Sequence, residues 1–185
     1  TSPEDVNDAR LAINDLEAFA QKSRPRLGAN HLNGLAFDPA PPALASPARS
    51  LWLPFHQSEQ VFWNYDEALG AYVRTQDDEN GKTFTTQVDA LTGEPLAFEN
   101  VIVMFARYHF KDPTFFNIDL QYVSFMPALL FRDGTVQKVF WTTANDEYER
   151  KTGHMRPIRL VDRERNPVAL KPGSTWVEIV SEPSG

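Results

Sequence analysis

Phe125–Trp141 reads FMPALLF, then RDG, then TVQKVFW: two apolar runs, Phe125 to Phe131 and Thr135 to Trp141, facing each other across Arg132, Asp133 and Gly134. Asp-Gly readily takes the positive φ angles of a tight turn, so this stretch predicts an antiparallel hairpin. The chain around it is written in the same way, as short β-rich runs between turn signals. Strands are expected at Ser50 to Phe55, Val61 to Tyr65, Ala71 to Gln76, Val101 to Tyr108 and Leu120 to Ser124. A last one follows the Lys171-Pro172-Gly173 turn, from Thr175 to Val180. No internal repeat and no low-complexity tract interrupts the pattern.

The first segment reads differently. Val6, Ala9, Ile13, Leu16 and Ala20 recur at spacings of three and four, which lays one apolar stripe along a helix ending near Lys22. Ser2 can cap it, Pro3 sits where a missing N–H costs nothing, and Glu4 and Asp5 meet the positive end of the helix dipole. From Ser23 to Pro54 the chain carries Pro25, Gly28, Gly34, Pro39, Pro41, Pro42, Pro47 and Pro54, which suits a traversing linker. The expected organisation is therefore 1–49, a helix with a proline-rich linker, and 50–185, a β-rich domain. The expected class is α+β: a mixed, mainly antiparallel β sandwich with the N-terminal helix packed on it.

The chain has 185 residues, 42% hydrophobic and 12% aromatic, enough for one sizeable core. Lys and Arg number 18 against 25 Asp and Glu, a net charge of -7 that disfavours a grip on nucleic acid by overall charge. With no cysteine there is no disulfide, thiolate metal site or cysteine nucleophile, and the absence mildly favours an extracytoplasmic location. The longest apolar runs, such as Val101 to Ala106 and Phe125 to Phe131, fall far short of the roughly 18 residues of a membrane-spanning helix. Beginning at Thr1 without a leader, the chain reads as a processed product or a fragment.

Few motifs point to chemistry. Asp77-Asp78-Glu79-Asn80-Gly81 invites a calcium reading, but aligning Gly81 with the glycine of a calcium loop puts Gln76 and Val88 at two ligand positions. Asn80-Gly81 is better read as a hairpin turn between Tyr72 to Gln76 and Lys82 to Asp89. His31, His56, His109 and His154 show no metal-ligand spacing, so neither a metal nor another cofactor is expected. No Gly-x-Ser-x-Gly elbow is present, and Thr1 reads as part of a helix start rather than as an N-terminal nucleophile.

Two groups remain. Trp63, Tyr65, Tyr72, Trp141 and Trp176 could floor a groove or fill a core; Trp63 and Tyr65 share one strand face, as do Tyr72 and Arg74, and Asp66 could reach Arg74 as a clamp. Between Arg150 and Lys171 stand seven basic residues against Asp162 and Glu164, and Arg156, Arg159, Arg163 and Arg165 form a candidate anion patch or a solvated β edge.

At these residues the sequence resembles the YerB-like family of bacterial lipoproteins, whose domains have no assigned function. The resemblance is carried by Trp63-Asn-Tyr65-Asp66, Tyr72-Val-Arg74, Asp89 followed by Thr92-Gly93, Asn100-Val-Ile-Val103, Phe131-Arg-Asp133-Gly134, Trp141, and Leu170-Lys-Pro172-Gly173-Ser-Thr-Trp176. It runs from Ser50 to about Val180, the family's C-terminal domain, with Leu35-Ala-Phe37-Asp38 similar to the link into it and Thr1-Ser2-Pro3 similar to the end of a motif in the N-terminal domain. The resemblance implies a mixed α and β sandwich, export, and membrane anchoring through a lipidated cysteine outside this chain. It implies no catalytic residue.

The reading that follows is a non-catalytic binding domain outside the cytoplasm, engaging an envelope protein or polymer, with Trp63, Tyr65, Asp66, Tyr72, Arg74, Asp89 and Trp141 as candidate binding residues. The rival is an envelope glycan hydrolase using Asp66, Asp89 or Asp133 as its paired carboxylates. A third reading makes the piece purely structural, completing a two-domain protein.

Overall fold

The computed structural model describes residues 34–182 apart from 57–58, 79–80, 113–114, 122, 145 and 154–155, together with Ala18 and Lys22. The chain divides into two compact units, Thr1–Leu32 and Asn33–Gly185. The amphipathic segment read from Val6 to Lys22 lies in the first unit and outside the described residues, except that Ala18 and Lys22 are helical and exposed.

The second unit is built from β structure. A five-stranded antiparallel sheet runs β3 (Ser50–His56), β4 (Glu59–Asp66), β5 (Ala71–Asp77) and β6 (Phe84–Thr86), with β7 (Ala97–Phe98) also on β5. A seven-stranded sheet runs β12 (Arg159–Val161), β11 (Thr135–Thr142), β10 (Met126–Arg132), β8 (Asn100–Asp112) and β14 (Thr175–Ser181). Two short strands join it off this path, β2 (Ser46–Pro47) on β11 and β9 (Phe115–Asp119) on β8. Only β14 lies parallel to its neighbour there; the other pairs are antiparallel. β1 (Ala36–Phe37) and β13 (Ala169–Leu170) form a separate parallel pair.

Strand β8 explains the layering. Val101, Ile102, Val103, Met104 and Ala106 are all buried, a continuous apolar run that only a strand covered on both faces tolerates. Its odd residues Val101 and Val103 pack with Phe131 against Val61, Trp63 and Tyr72 of the five-stranded sheet. Its even residues Ile102, Met104 and Ala106 join Ala128, Leu130, Val139 and Trp141 under Val123, Leu160 and Leu170 on the opposite face. Arg132, 1% exposed, ties that side down: its guanidinium donates to the carbonyls of Ala169 at 3.2 Å and Ala40 at 2.9 Å and pairs with Asp133 at 2.9 Å.

The hairpin at the centre of the sequence forms as predicted, with Asp133 at φ 53° and Gly134 at φ 67°. A side chain at Gly134 would meet Tyr65 Cδ1 at 3.0 Å, so the turn also needs glycine for space. β5 and β6 pair on either side of the acidic tip, residues 79–80 of which lie outside the described residues: Asp77 pairs with Phe84, and Gly81 N donates to the Asp78 carbonyl. Three expectations need correction. The described chain is nearly all β rather than α+β, and the mixed α and β sandwich implied by the resemblance is corrected with it; the N-terminal helix expected on the sandwich lies outside the described residues apart from Ala18 and Lys22, and the only helix outside residues 1–33, among the described ones, is the short Asp146–Thr152. Periodicity marked an amphipathic segment at the N-terminus, but it does not say which surface such a segment covers. The strand expected at Leu120 to Ser124 is instead a loop that sends Val123 under the core, and the strand precedes it at Phe115–Asp119.

Candidate functional site

The candidate aromatic residues are core. Trp63 and Tyr72 are fully buried between the two sheets, with Tyr65 tilted against Tyr72 at 5.1 Å and Trp176 at 5.7 Å from Trp63. Trp141 is equally buried, but in the cluster on the other face of the seven-stranded sheet, where its Nε1 donates to the Phe105 carbonyl. Strand register puts these rings in two different layers, Trp63 and Tyr72 in one and Trp141 in the other. The Tyr72 hydroxyl donates to the Ala48 carbonyl at 2.7 Å, and burial pushes its pKa far above the ordinary phenol value.

Arg74 does take part in a clamp, with a partner sequence reasoning missed. In the β4–β5 register Asp66 lies opposite Ala71, whereas Arg74 lies opposite Trp63 and faces β14 across the interior. Its Nε stands 4.0 Å from Glu178 Oε1, its Nη1 donates to Gln76, and its guanidinium lies over Trp176 at 5.1 Å. Trp63 Nε1 donates to the same Glu178 oxygen at 3.1 Å. Burial raises the Glu178 pKa, and the Trp63 hydrogen bond and the Arg74 charge offset it only in part. The one local sign of this pair was a Glu at the inward parity of a strand, Trp176, Glu178 and Val180.

The three candidate aspartates are each engaged locally. Asp66 accepts from Ala68 N and Leu69 N, and Asp89 from Leu91 N and Thr92 N. The Thr92 and Leu91 hydrogen bonds hold Asp89 below the usual carboxylate range. Asp133 binds Arg132 Nε at 2.9 Å and Lys171 Nζ at 3.0 Å; burial works against its ionisation, but these two cations hold its pKa low. Lys171 Nζ also donates to the Gly70 carbonyl, and Asn100 holds the Lys171 backbone from both sides, accepting at 2.8 Å and donating at 2.9 Å. Asn100, Asp133 and Lys171 thus form one polar fastening between the sheets. Among the described residues no three His, Asp or Glu side chains are placed to hold a metal.

What the structure leaves open lies on the β10–β11–β12 half of the seven-stranded sheet. Phe105, Leu129 and Val136 share the face turned toward the five-stranded sheet, and register places Lys138 beside Leu129, Phe140 beside Pro127, and Arg159 beside Thr142 on the same side. There a hollow of about 440 Å³ opens, floored by Phe105, Leu129, Val139 and Phe140 and edged by Lys138 and Arg163. It adjoins a wider groove of about 780 Å³ that runs past Leu44, Ser46 and Val136, with Asp162 and Glu164 on its rim. The groove follows a gap in the sheet edge: β2 pairs only Thr135 and Val136 of β11, and β12 only Phe140–Thr142. Gln137, Lys138 and Val139 therefore have a strand partner on one side alone among the described residues.

Of the arginines of the sequence patch, Arg163 lines this hollow, and Arg165 reaches it through a pair of rings. Phe125 stacks on Phe140 with centroids 4.0 Å apart, and Arg165 lies 5.1 Å over Phe125. Arg156 lies 4.5 Å over Tyr148. None of Arg156, Arg159, Arg163 and Arg165 forms an ion pair with a described carboxylate, and the Nε atoms of Arg156 and Arg159 are buried without a hydrogen-bond partner. Burial, followed by the charges of Arg156 and Arg165, lowers the Arg159 pKa.

Residues 51–177 match the family model of the C-terminal domain of a protein of unknown function, DUF3048. Over 122 residues, 66% of this chain, the sequence is 30% identical to "Putative lipoprotein YerB" of Bacillus subtilis (strain 168), 31% of whose length is covered. The chain belongs to the YerB-like family. The crystal structure of YerB from Bacillus subtilis shares its fold, with a TM-score of 0.62 and 24% identity over 91% of this chain and 51% of that one. The chain thus spans about a third to a half of the relatives it matches. In the YerB-like fold the residues that announce the family serve its architecture: Trp63, Tyr72, Trp141 and Trp176 fill the layers, while Asn100, Asp133, Gly134 and Lys171 fasten turns. The residues lining the hollow were not singled out, apart from Arg163, because Phe105, Leu129, Lys138 and Phe140 read locally as ordinary strand residues.

Proposed function

We propose that this YerB-like domain is a non-catalytic binding module outside the cytoplasm, carried in the full-length protein by a lipid anchor, and that its ligand lies on the uncovered half of the seven-stranded sheet. The observation that carries the reading is the apolar hollow beside β11, edged by Lys138 and Arg163. Its size falls within the range of ordinary ligand sites, and its few polar groups at the margin can orient what the floor binds. The likeness to a named lipoprotein supports the location. The expected partner is an envelope protein or polymer; no cofactor enters the reading, and the net charge of -7 argues against nucleic acid.

The test compares the 185-residue chain with Leu129→Glu and Phe140→Glu, each immobilised and exposed to a bacterial envelope fraction of glycans, anionic polymers and membrane proteins. Retention of one component by the native chain and its loss in both variants, with unfolding curves unchanged, is the expected result. Equal retention by all three, or none by the native chain, overturns it.

A further inference from the structure

Two arginines elsewhere in this domain are paired: Arg132 has Asp133 and the carbonyls of Ala169, Pro39 and Ala40, and Arg74 has Glu178 and Gln76, although its Nε, like those of Arg156 and Arg159, is buried without a hydrogen-bond partner. Arg156, Arg159 and Arg165 have no ion pair among the described residues. Asp162, the nearest acid in the chain to Arg159, spends its carboxylate on Asn166, whose N and Nδ2 donate to it at 2.8 and 2.9 Å, and Glu164, next to Arg165, forms no ion pair with it. Glu149, in the helix that carries Tyr148, makes no ion pair with them, and its Oε1 is itself buried without a partner. Buried donors of a cation normally find acceptors, and those left over call for an ion.

The placement is not random. Arg159 opens β12 opposite Thr142, on the sheet face that carries Phe140 one pair further along. Phe125 stacks on Phe140, and Arg165 covers Phe125. A guanidinium stacked on a ring keeps its in-plane N–H groups free to donate sideways.

We propose that Arg156, Arg159 and Arg165 form a phosphate site at the end of the apolar hollow, for phosphate itself or for the phosphate ester of a ligand whose apolar part lies over Phe140. A carboxylate would be served by one bidentate arginine; three guanidiniums suit a tetrahedral anion with acceptors on several sides. The like charges that repel one another in the free domain become the attraction that holds the ligand. The ester form rests on the binding reading given above, whereas the anion site stands on its own.

The experiment titrates inorganic phosphate into the full chain against chloride of equal ionic strength, reading melting temperature and the arginine Nε–H resonances. Saturable shifts of the Arg156 and Arg159 resonances and a rise in melting temperature are expected, with affinity reduced about tenfold or more in Arg159→Gln or Arg165→Gln. Arg165→Gln alters an exposed turn, so it reports even if Arg159→Gln folds poorly. A second arm compares dioctanoyl phosphatidylglycerol, below its micelle concentration, with dioctanoylglycerol. Tighter binding than inorganic phosphate, lost with the headgroup, assigns the ester; parity assigns free phosphate. Phosphate no more effective than chloride, or unchanged affinity in both variants, overturns the site. If Leu129→Glu keeps the phosphate response but loses the envelope component, both readings stand; if it also keeps the envelope component, the hollow is wrong and the anion site survives.

Discussion

Arg74 and Arg159 both sit beside aromatic rings on strands of one domain, yet they belong to different kinds of surface. Arg74, 9% exposed, is closed between two sheets with Glu178, Gln76, Trp63 and Trp176 around it. Arg159 stands at the start of the edge strand β12, with like charges nearby and no described carboxylate paired to it. The difference teaches where to look for function among the arginines of this fold: those in ion pairs between or beneath the sheets hold the layers together, and those with no described carboxylate cluster around β12.

That contrast can be broken in three ways, in decreasing order of effect. Arg132→Met removes a fully buried cation that joins Asp133 to two distant carbonyls, and should cost about 3 kcal/mol in urea unfolding. A loss below about 1 kcal/mol would mean that such arginines are not what fastens the layers. Glu178→Gln should show itself in pH dependence. Because the folded pKa of Glu178 is raised above its ordinary 4.5, the folded state holds that proton more tightly. Its contribution is therefore complete below pH 4.5 and is lost as pH rises through the folded value. Asp133, whose folded pKa is depressed below 3.8, behaves in the opposite sense: its contribution is present above 3.8 and is lost as pH falls through the folded value. Melting temperatures of Glu178→Gln and Asp133→Asn from pH 3 to 7 should diverge from the native chain in these opposite senses; parallel curves would remove Glu178 from the partnered class. Arg159→Gln should be the mildest, within about 0.5 kcal/mol of the native chain or slightly more stable, since it relieves like-charge repulsion. A loss of 2 kcal/mol or more would place Arg159 with Arg74, as a structural group.

Much of the β scaffold was legible. The Asp133-Gly134 turn and the pairing of β5 with β6 across Gly81 were readable because their backbone chemistry is local, and strands near Ser50, Val61, Ala71, Val101, Thr135 and Thr175 came within a few residues of those observed. The misread strand at Leu120 has a physical cause. β8 continues past Tyr108 to Asp112 by pairing with Phe115–Asp119, with a bulge between Phe110 and Asp112, so the apolar run after it is free to become a loop. The Asp146–Thr152 helix, supported on its surface by the Glu147–Lys151 pair, is too short and charged to show a stripe. Two-residue strands such as β2 have no periodicity at all, yet β2 helps to define the gap at Gln137–Val139.

The candidate site was legible only as a list of parts. Arg156, Arg159, Arg163 and Arg165 were visible as a charge excess, but a charge excess is the same in sequence whether each guanidinium has a carboxylate or none. Asp66 seemed within reach of Arg74, and it caps a turn instead, because cross-strand register gave Arg74 to Glu178, more than a hundred residues away in the chain. By itself the sequence determined the turns, the alternation of the strands and membership of the YerB-like family, since all of these rest on neighbours along the chain. Only the tertiary structure decided that Trp63 and Trp141 lie in separate layers and that Phe140 is left at an open hollow. An apolar strand face looks alike in sequence whether or not a second sheet arrives to cover it.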